Sequence, residues 1–119
     1  MSKTDLEAAK EYYHARRTKE QARREAERQH WRQQVREAVA RLGPHYPGIR
    51  RVFLFGSIVQ AGRFRADSDI DLAVECDSAD TESRFWRALE RELKRDVDVR
   101  PLTGAVASVA LSQGEQIYG

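Results

Sequence analysis

Hydrophobic and polar positions divide the chain into segments of differing period. From Thr4 to Leu42 there is neither glycine nor proline, and the stretch reads as one long helix. Thr4 and Glu7 have capping-box spacing, with Ser2 an alternative cap. In its second half Trp31, Val35, Ala38, Val39 and Leu42 recur at helical spacing and form a stripe for burial. The first half is polar nearly all round. Gly43-Pro44 stops the helix and opens a turn that lasts to Gly48. The apolar run Val52-Phe53-Leu54-Phe55 predicts a buried strand over Arg51–Phe55. A second run alternates, with Ile70, Leu72 and Val74 on the core side and Asp69 and Asp71 on the other. A turn over Asp77–Asp80, with Asp80 as N-cap, leads into a helix over Thr81–Arg95. That helix turns Phe85, Leu89 and Leu93 inward and Arg84, Arg87, Arg91 and Lys94 outward, with Trp86 widening the buried face. Asp96-Val97-Asp98-Val99-Arg100 alternates again as a strand that Pro101 ends. Ala105–Gln113 predicts a short helix with Val106, Val109 and Ala110 apolar, closed by Gly114, and Ile117-Tyr118 makes a final apolar contact. The order predicts an α/β fold: a small mixed sheet, flanking helices and a long N-terminal helix.

Composition changes this picture little. The chain has 119 residues, 40% hydrophobic and 34% charged, which suits one domain with one modest core. A net charge of +2 does not by itself imply nucleic acid. No apolar run reaches about eighteen residues, and the charged N-terminus has no signal-like apolar region, so neither a membrane span nor secretion is expected. The single cysteine, Cys76, closes an apolar strand and reads as a packed side chain in a reducing cytoplasm. His14, His30 and His45 have no companions at ligand spacing and read as surface residues. Within the long helix, Lys10 to Arg32 holds eight basic residues and four acids. Pairs such as Glu20–Arg24 and Arg23–Glu27 support the helix, and Tyr12 and Tyr13 are its large aromatic handles. Residues 1–30 are therefore read as a charged helical arm and 31–119 as the folded domain. The arm is either a solvated helix or a docking element for a partner. Its interspersed glutamates argue against a nucleic-acid role.

The chemistry gathers between Val52 and Val74. Two acids two residues apart on a strand have backbones about 6.5 Å apart, and side chains leaning together can bridge cations about 3.5–4 Å apart. Without cations the pair repels and one carboxyl takes up a proton. The first strand stops at Gly56-Ser57, where glycine permits a sharp turn and a ligand's close approach. Ser57 supplies a hydroxyl and is placed to open a short helix whose free N–H groups suit phosphate oxygens. A phosphate cradle beside a metal-binding pair is the equipment for nucleotidyl transfer. Arg63 and Arg65, in the intervening loop, are candidates to meet triphosphate oxygens, with a solvated loop charge the competing reading. A third carboxylate could come from Asp96 or Asp98.

LFGS, a glycine-containing loop and DSDIDLAV together resemble the nucleotidyltransferases of the DNA polymerase beta superfamily. The likeness is to the minimal nucleotidyltransferases, antitoxin partners of HEPN toxins, and it spans roughly Trp31 to Tyr118. The resemblance implies a polymerase beta-like core and favours Asp98 as third carboxylate, because family members read as Val97-Asp98-Val99 does. It further implies ATP as donor with its phosphates against Gly56 and Ser57, Arg63 and Arg65 as further nucleotide contacts, and two Mg²⁺ held by Asp69, Asp71 and Asp98. The implied acceptor is a tyrosine hydroxyl of a HEPN toxin. Two departures stand out. Eleven residues, Ile58 to Ser68, separate GS from DxD where ten are usual, and Ile58 stands where members commonly carry arginine. Both favour the alternative reading, a catalytically degenerate module that neutralises its partner by contact.

Overall fold

The computed structural model describes residues 3–119. Helix α1 runs unbroken over Lys3–Leu42. Thr4 thus lies inside the helix rather than capping it, and Ser2 falls outside the described residues. A short 3₁₀ turn, Gly43–His45, ends α1 with Pro44 in its first positions. Gly43 is buried there because the Tyr118 ring packs where a Cβ would lie. Strands β1 (Ile49–Phe55) and β2 (Ile70–Cys76) follow, then helix α2 (Ala79–Leu93), strand β3 (Val97–Pro101), helix α3 (Gly104–Gln113) and strand β4 (Glu115–Tyr118).

The sheet order is β3-β2-β1-β4, with β2 parallel to β3 and β1 antiparallel to both of its neighbours. The mixed sheet is as predicted. The strand β4 is not: Ile117-Tyr118 was expected as an apolar contact only, and it belongs to an edge strand paired with Val52–Leu54. Two other local expectations are corrected. Ser78, not Asp80, caps α2: its hydroxyl oxygen accepts from the Thr81 amide, and Asp80 sits in the first turn. Arg23 pairs with Glu20 three residues back rather than with Glu27, and Arg24 shares the same Glu20.

One face of the sheet carries the main core. Val52, Leu54, Ile70, Leu72, Val74, Val97 and Val99 pack there against Val35, Ala38 and Val39 of α1 and Phe85, Leu89 and Leu93 of α2. Burying side chains of this size contributes about 1.5–3 kcal/mol each. Trp86 is half-buried against this core and donates its indole N–H to the Val97 carbonyl at 2.6 Å. The second face has a smaller cluster, Phe53, Ala73 and Ala110, with Phe55, Leu102 and Val106 against it. Helix α3 covers only part of this face, and the strand ends beside it stay open.

The helix α1 leaves the body in its first half. Tyr12 and Tyr13 are each 60% exposed, and Leu6 is exposed as well. The contacts with the body start earlier than the apolar stripe: Arg28, within the segment read as arm, is 7% exposed.

Candidate active site

The turn after β1 and the first residues of β2 and β3 meet on the open face. Gly56–Val59 forms a 3₁₀ turn directly after β1; the short helical turn expected here is present, opened by Gly56 with Ser57 second. Gly56 has φ of 77°, a backbone state that side chains other than glycine rarely adopt. A Cβ at Gly56 would overlap the carboxylate of Asp71. The turn and the acid are therefore packed one on the other.

Asp71 pairs in register with Phe55 on one side and with Asp98 on the other. Register partners share a face, so Asp71 and Asp98 stand side by side on neighbouring parallel strands. Asp69 lies exposed just before β2 rather than within the strand. Asp96 precedes β3 and is exposed, its carbonyl accepting the Ile70 amide at 3.4 Å. The strand register thus puts Asp98, not Asp96, next to Asp71.

The electrostatics bind these groups together. Burial holds the Asp71 carboxyl above its ordinary range. The charges of Asp98 and, more weakly, Asp69 add to that rise, and Arg100 opposes it. Arg100 escaped the sequence reading. It follows Asp98 on the same face of β3, and its Nε donates to Asp98 Oδ2 at 3.0 Å. Strand alternation placed Arg100 on that face in the sequence, although nothing there marked it as a partner of the acid.

The loop Ile58–Ser68 joins the turn to β2. It is anchored by Ile58 and Phe64, both buried, while Arg63 and Arg65 are exposed. Neither guanidinium has an ion-pair partner among the described residues. Arg65 lines a groove with Glu20, Arg24 and Glu27 of α1, so the structure brings it to the helix rather than to the carboxylates. A neighbouring cleft of about 460 Å³ lies between Gln21, Arg24 and Arg28 and the loop residues Gly62 and Phe64. None of the three carboxylates lines it.

The donor set suits a hard divalent cation. Asp69, Asp71 and Asp98 offer only oxygen, and the packed, repelled carboxyl of Asp71 gains from positive charge beside it. As the side chains stand, no group of three His, Cys, Asp or Glu among the described residues forms a ready metal cage. Mg²⁺ does not need one, because it keeps several waters and takes one or two carboxylates plus substrate phosphates.

Known proteins share this fold. Residues 37–119 match the family model described as polymerase beta, nucleotidyltransferase. No curated protein matches the chain significantly. Among solved structures, a toxin–antitoxin complex with AMP-PNP aligns at 27% identity and a TM-score of 0.59, over 71% of this chain and 73% of that one. A mutant MntA–HpeT toxin–antitoxin aligns at 25% identity and a TM-score of 0.58, over 71% and 73%. A complex of tri-AMPylated Shewanella oneidensis HEPN toxin with MNT antitoxin, 24% identical with a TM-score of 0.55 over 73% and 71%, shares the fold. With more than half of its residues inside the family model, the chain belongs to the polymerase beta nucleotidyltransferases.

Proposed function

We propose that the protein is a Mg²⁺-dependent nucleotidyltransferase that moves AMP from ATP onto a hydroxyl of a HEPN-type toxin and so acts as that toxin's antitoxin. The observation that carries this reading is the Asp71–Asp98 pair on neighbouring strands, with the positive-φ turn at Gly56 packed against Asp71. The toxin–antitoxin neighbours, one of them holding AMP-PNP, support the partner and the nucleotide.

In this reading Gly56 lets the triphosphate approach the backbone, and Ser57 and the turn's free amides hold its phosphate oxygens. Asp69, Asp71 and Asp98 would hold Mg²⁺, which supplies neutralisation of charge on the triphosphate and its leaving group. Asp98 takes the proton of the acceptor hydroxyl. The hydroxyl oxygen forms a bond to the α-phosphorus, and the bond from that phosphorus to the bridging oxygen breaks. Pyrophosphate leaves with the electron pair. Positioning and charge neutralisation carry most of the acceleration. Arg63 and Arg65 reach the triphosphate only if the loop tip turns toward it. The exposed arm of α1, with Tyr12, Tyr13 and Arg16, is the docking element for the partner, since aromatic and arginine side chains commonly anchor such contacts. A cytoplasmic setting accords with the lone cysteine and with the lack, among the described residues, of any helix long and apolar enough to cross a membrane.

A second reading, neutralisation by contact alone, is favoured by the Arg100–Asp98 ion pair, which engages the third carboxylate with an internal cation. Titration calorimetry with ATP and Mg²⁺ decides between them, together with transfer of labelled AMP to the partner. The transferase reading expects Mg²⁺-dependent binding that Asp69→Asn/Asp71→Asn weakens at least tenfold. Equal affinity in the wild type and the double variant would sink it.

A further inference from the structure

The loop Ile58–Ser68 is gripped at both ends by arginines from elsewhere in the chain. At its start, Arg28 of α1 donates from Nη1 to the Ile58 carbonyl at 2.9 Å. Its Nε and Nη2 donate to Glu25 at 2.9 and 2.6 Å. That contact raises the Arg28 pKa and holds the Glu25 carboxyl down at about 2, mainly through the hydrogen bond itself. At the loop's other end, Arg95 donates from Nη2 to the Ser68 carbonyl at 2.7 Å and to the Arg65 carbonyl at 3.2 Å. Its guanidinium lies 4.7 Å from the Trp31 ring and 4.9 Å from the Phe64 ring. Such stacking attracts the cation to the faces of both rings.

Burying a guanidinium is costly, and a hydrophobic residue of similar volume often serves stability as well or better. What an arginine adds is direction. Each of these two fixes a carbonyl whose neighbour is a candidate site residue. Ile58 follows Ser57, and Ser68 precedes Asp69. One clamp therefore sets the phosphate turn, and the other sets the exposed carboxylate.

We propose that Arg28 and Arg95 are positioning residues of the nucleotidyl-transfer site, holding the loop so that Ser57 and Asp69 address the same Mg²⁺–nucleotide. The inference rests on the transferase reading above. It also extends the site beyond the family region, because Arg28 lies before residue 37 where the match begins. The part of α1 around Arg28 is thus an element of the active centre as well as the root of the arm.

The exposed Arg63 and Arg65 make the loop its own reporter, since trypsin cleaves after them only when the loop opens. Arg28→Met and Arg95→Met should each speed native-state cleavage at these positions about tenfold or more, with Arg84→Met on the outside of α2 as an unchanged control. Arg28→Met should raise the Kd for Mg²⁺–ATP about tenfold, and Arg95→Met should raise the Mg²⁺ concentration that supports half-maximal nucleotide binding. Lysine at either position should recover part of both effects, and it carries the comparison if a methionine variant does not fold. Folded variants that cleave and bind nucleotide like the wild type overturn the proposal. Faster cleavage with unchanged nucleotide binding overturns it too, because the arginines would then serve the fold alone. A wild type that does not bind Mg²⁺–ATP is a different result, which removes the transferase reading itself.

Discussion

Asp71 is the residue on which stability and function pull apart. Burial and the neighbouring Asp98 charge raise its carboxyl in the folded state. A carboxyl raised on folding costs nothing at pH values below its unfolded pKa, where it is protonated in both states. It costs progressively more as pH climbs, and the cost is complete above the folded pKa. Asp71→Asn should therefore melt at a higher temperature than the wild type at pH 7–8 without Mg²⁺, and the gap should close as pH falls below the usual carboxylate range. The same change should weaken Mg²⁺–ATP binding at least tenfold, about 1.4 kcal/mol. Melting curves across pH check the first half and calorimetry the second; a variant that is less stable at neutral pH contradicts the account. The Asp69/Asp71 spacing and the glycine before Ser57 were legible in the sequence because each breaks an otherwise apolar pattern. The partner of Asp98 was not, because Arg100 reads as an ordinary polar residue at a strand end. Arg28 was hidden among eight basic residues, although it sits three residues before Trp31 and so prolongs the buried stripe.

Among the elements, the periodic ones, including the short β3 and α3, were read within a residue or two, and the edge strand β4 was not. The stripe Val35, Ala38, Val39 and the face Phe85, Leu89, Leu93 are buried as their spacing requires. Strand β4 has four residues, follows directly on the Gly114 cap and lacks clean alternation, and only its partner β1 makes it a strand. Its Glu115 lies on the helix side of the sheet, where it meets Arg32 at 2.7 Å and also Arg36, so its charge serves to tie α1 to the edge. The start of α2 shows how a cap is misassigned by two positions: both Ser78 and Asp80 are good caps, and the bond to the Thr81 amide settles for Ser78. Ser78→Ala should accordingly cost about 0.5–2 kcal/mol. Asp80→Ala should cost less, through its i,i+4 contact with Arg84 and its place near the helix N-terminus. Urea unfolding of the two variants compares them, and a larger loss for Asp80→Ala would return the cap to that residue.

The whole molecule is long for its size. It measures 67 × 28 × 19 Å with a radius of gyration of 18.7 Å, against about 14 Å for a compact domain of this length. The excess is the free half of α1, which the domain core does not hold. A chain beginning near residue 22 retains Glu25 and Arg28, so it should stay folded and bind nucleotide while losing its partner. If it unfolds, the arm was core; if it keeps its partner with equal affinity, the arm is only a solvated helix. Pull-down with the partner and a thermal melt give both answers. Because α1 continues without glycine or proline from the arm into the body, it has no joint. A partner seated at Tyr12 is set about 24 Å along the axis from Arg28, at 1.5 Å per residue. The helix is in effect a ruler with a phase. Inserting two residues in the arm turns the docking face about 200° away from its bearing on the loop, whereas inserting seven turns it only about 20° short of full register while lengthening the reach about 10.5 Å. Which insertion silences transfer to the partner tells whether the acceptor hydroxyl is chosen by direction or by distance.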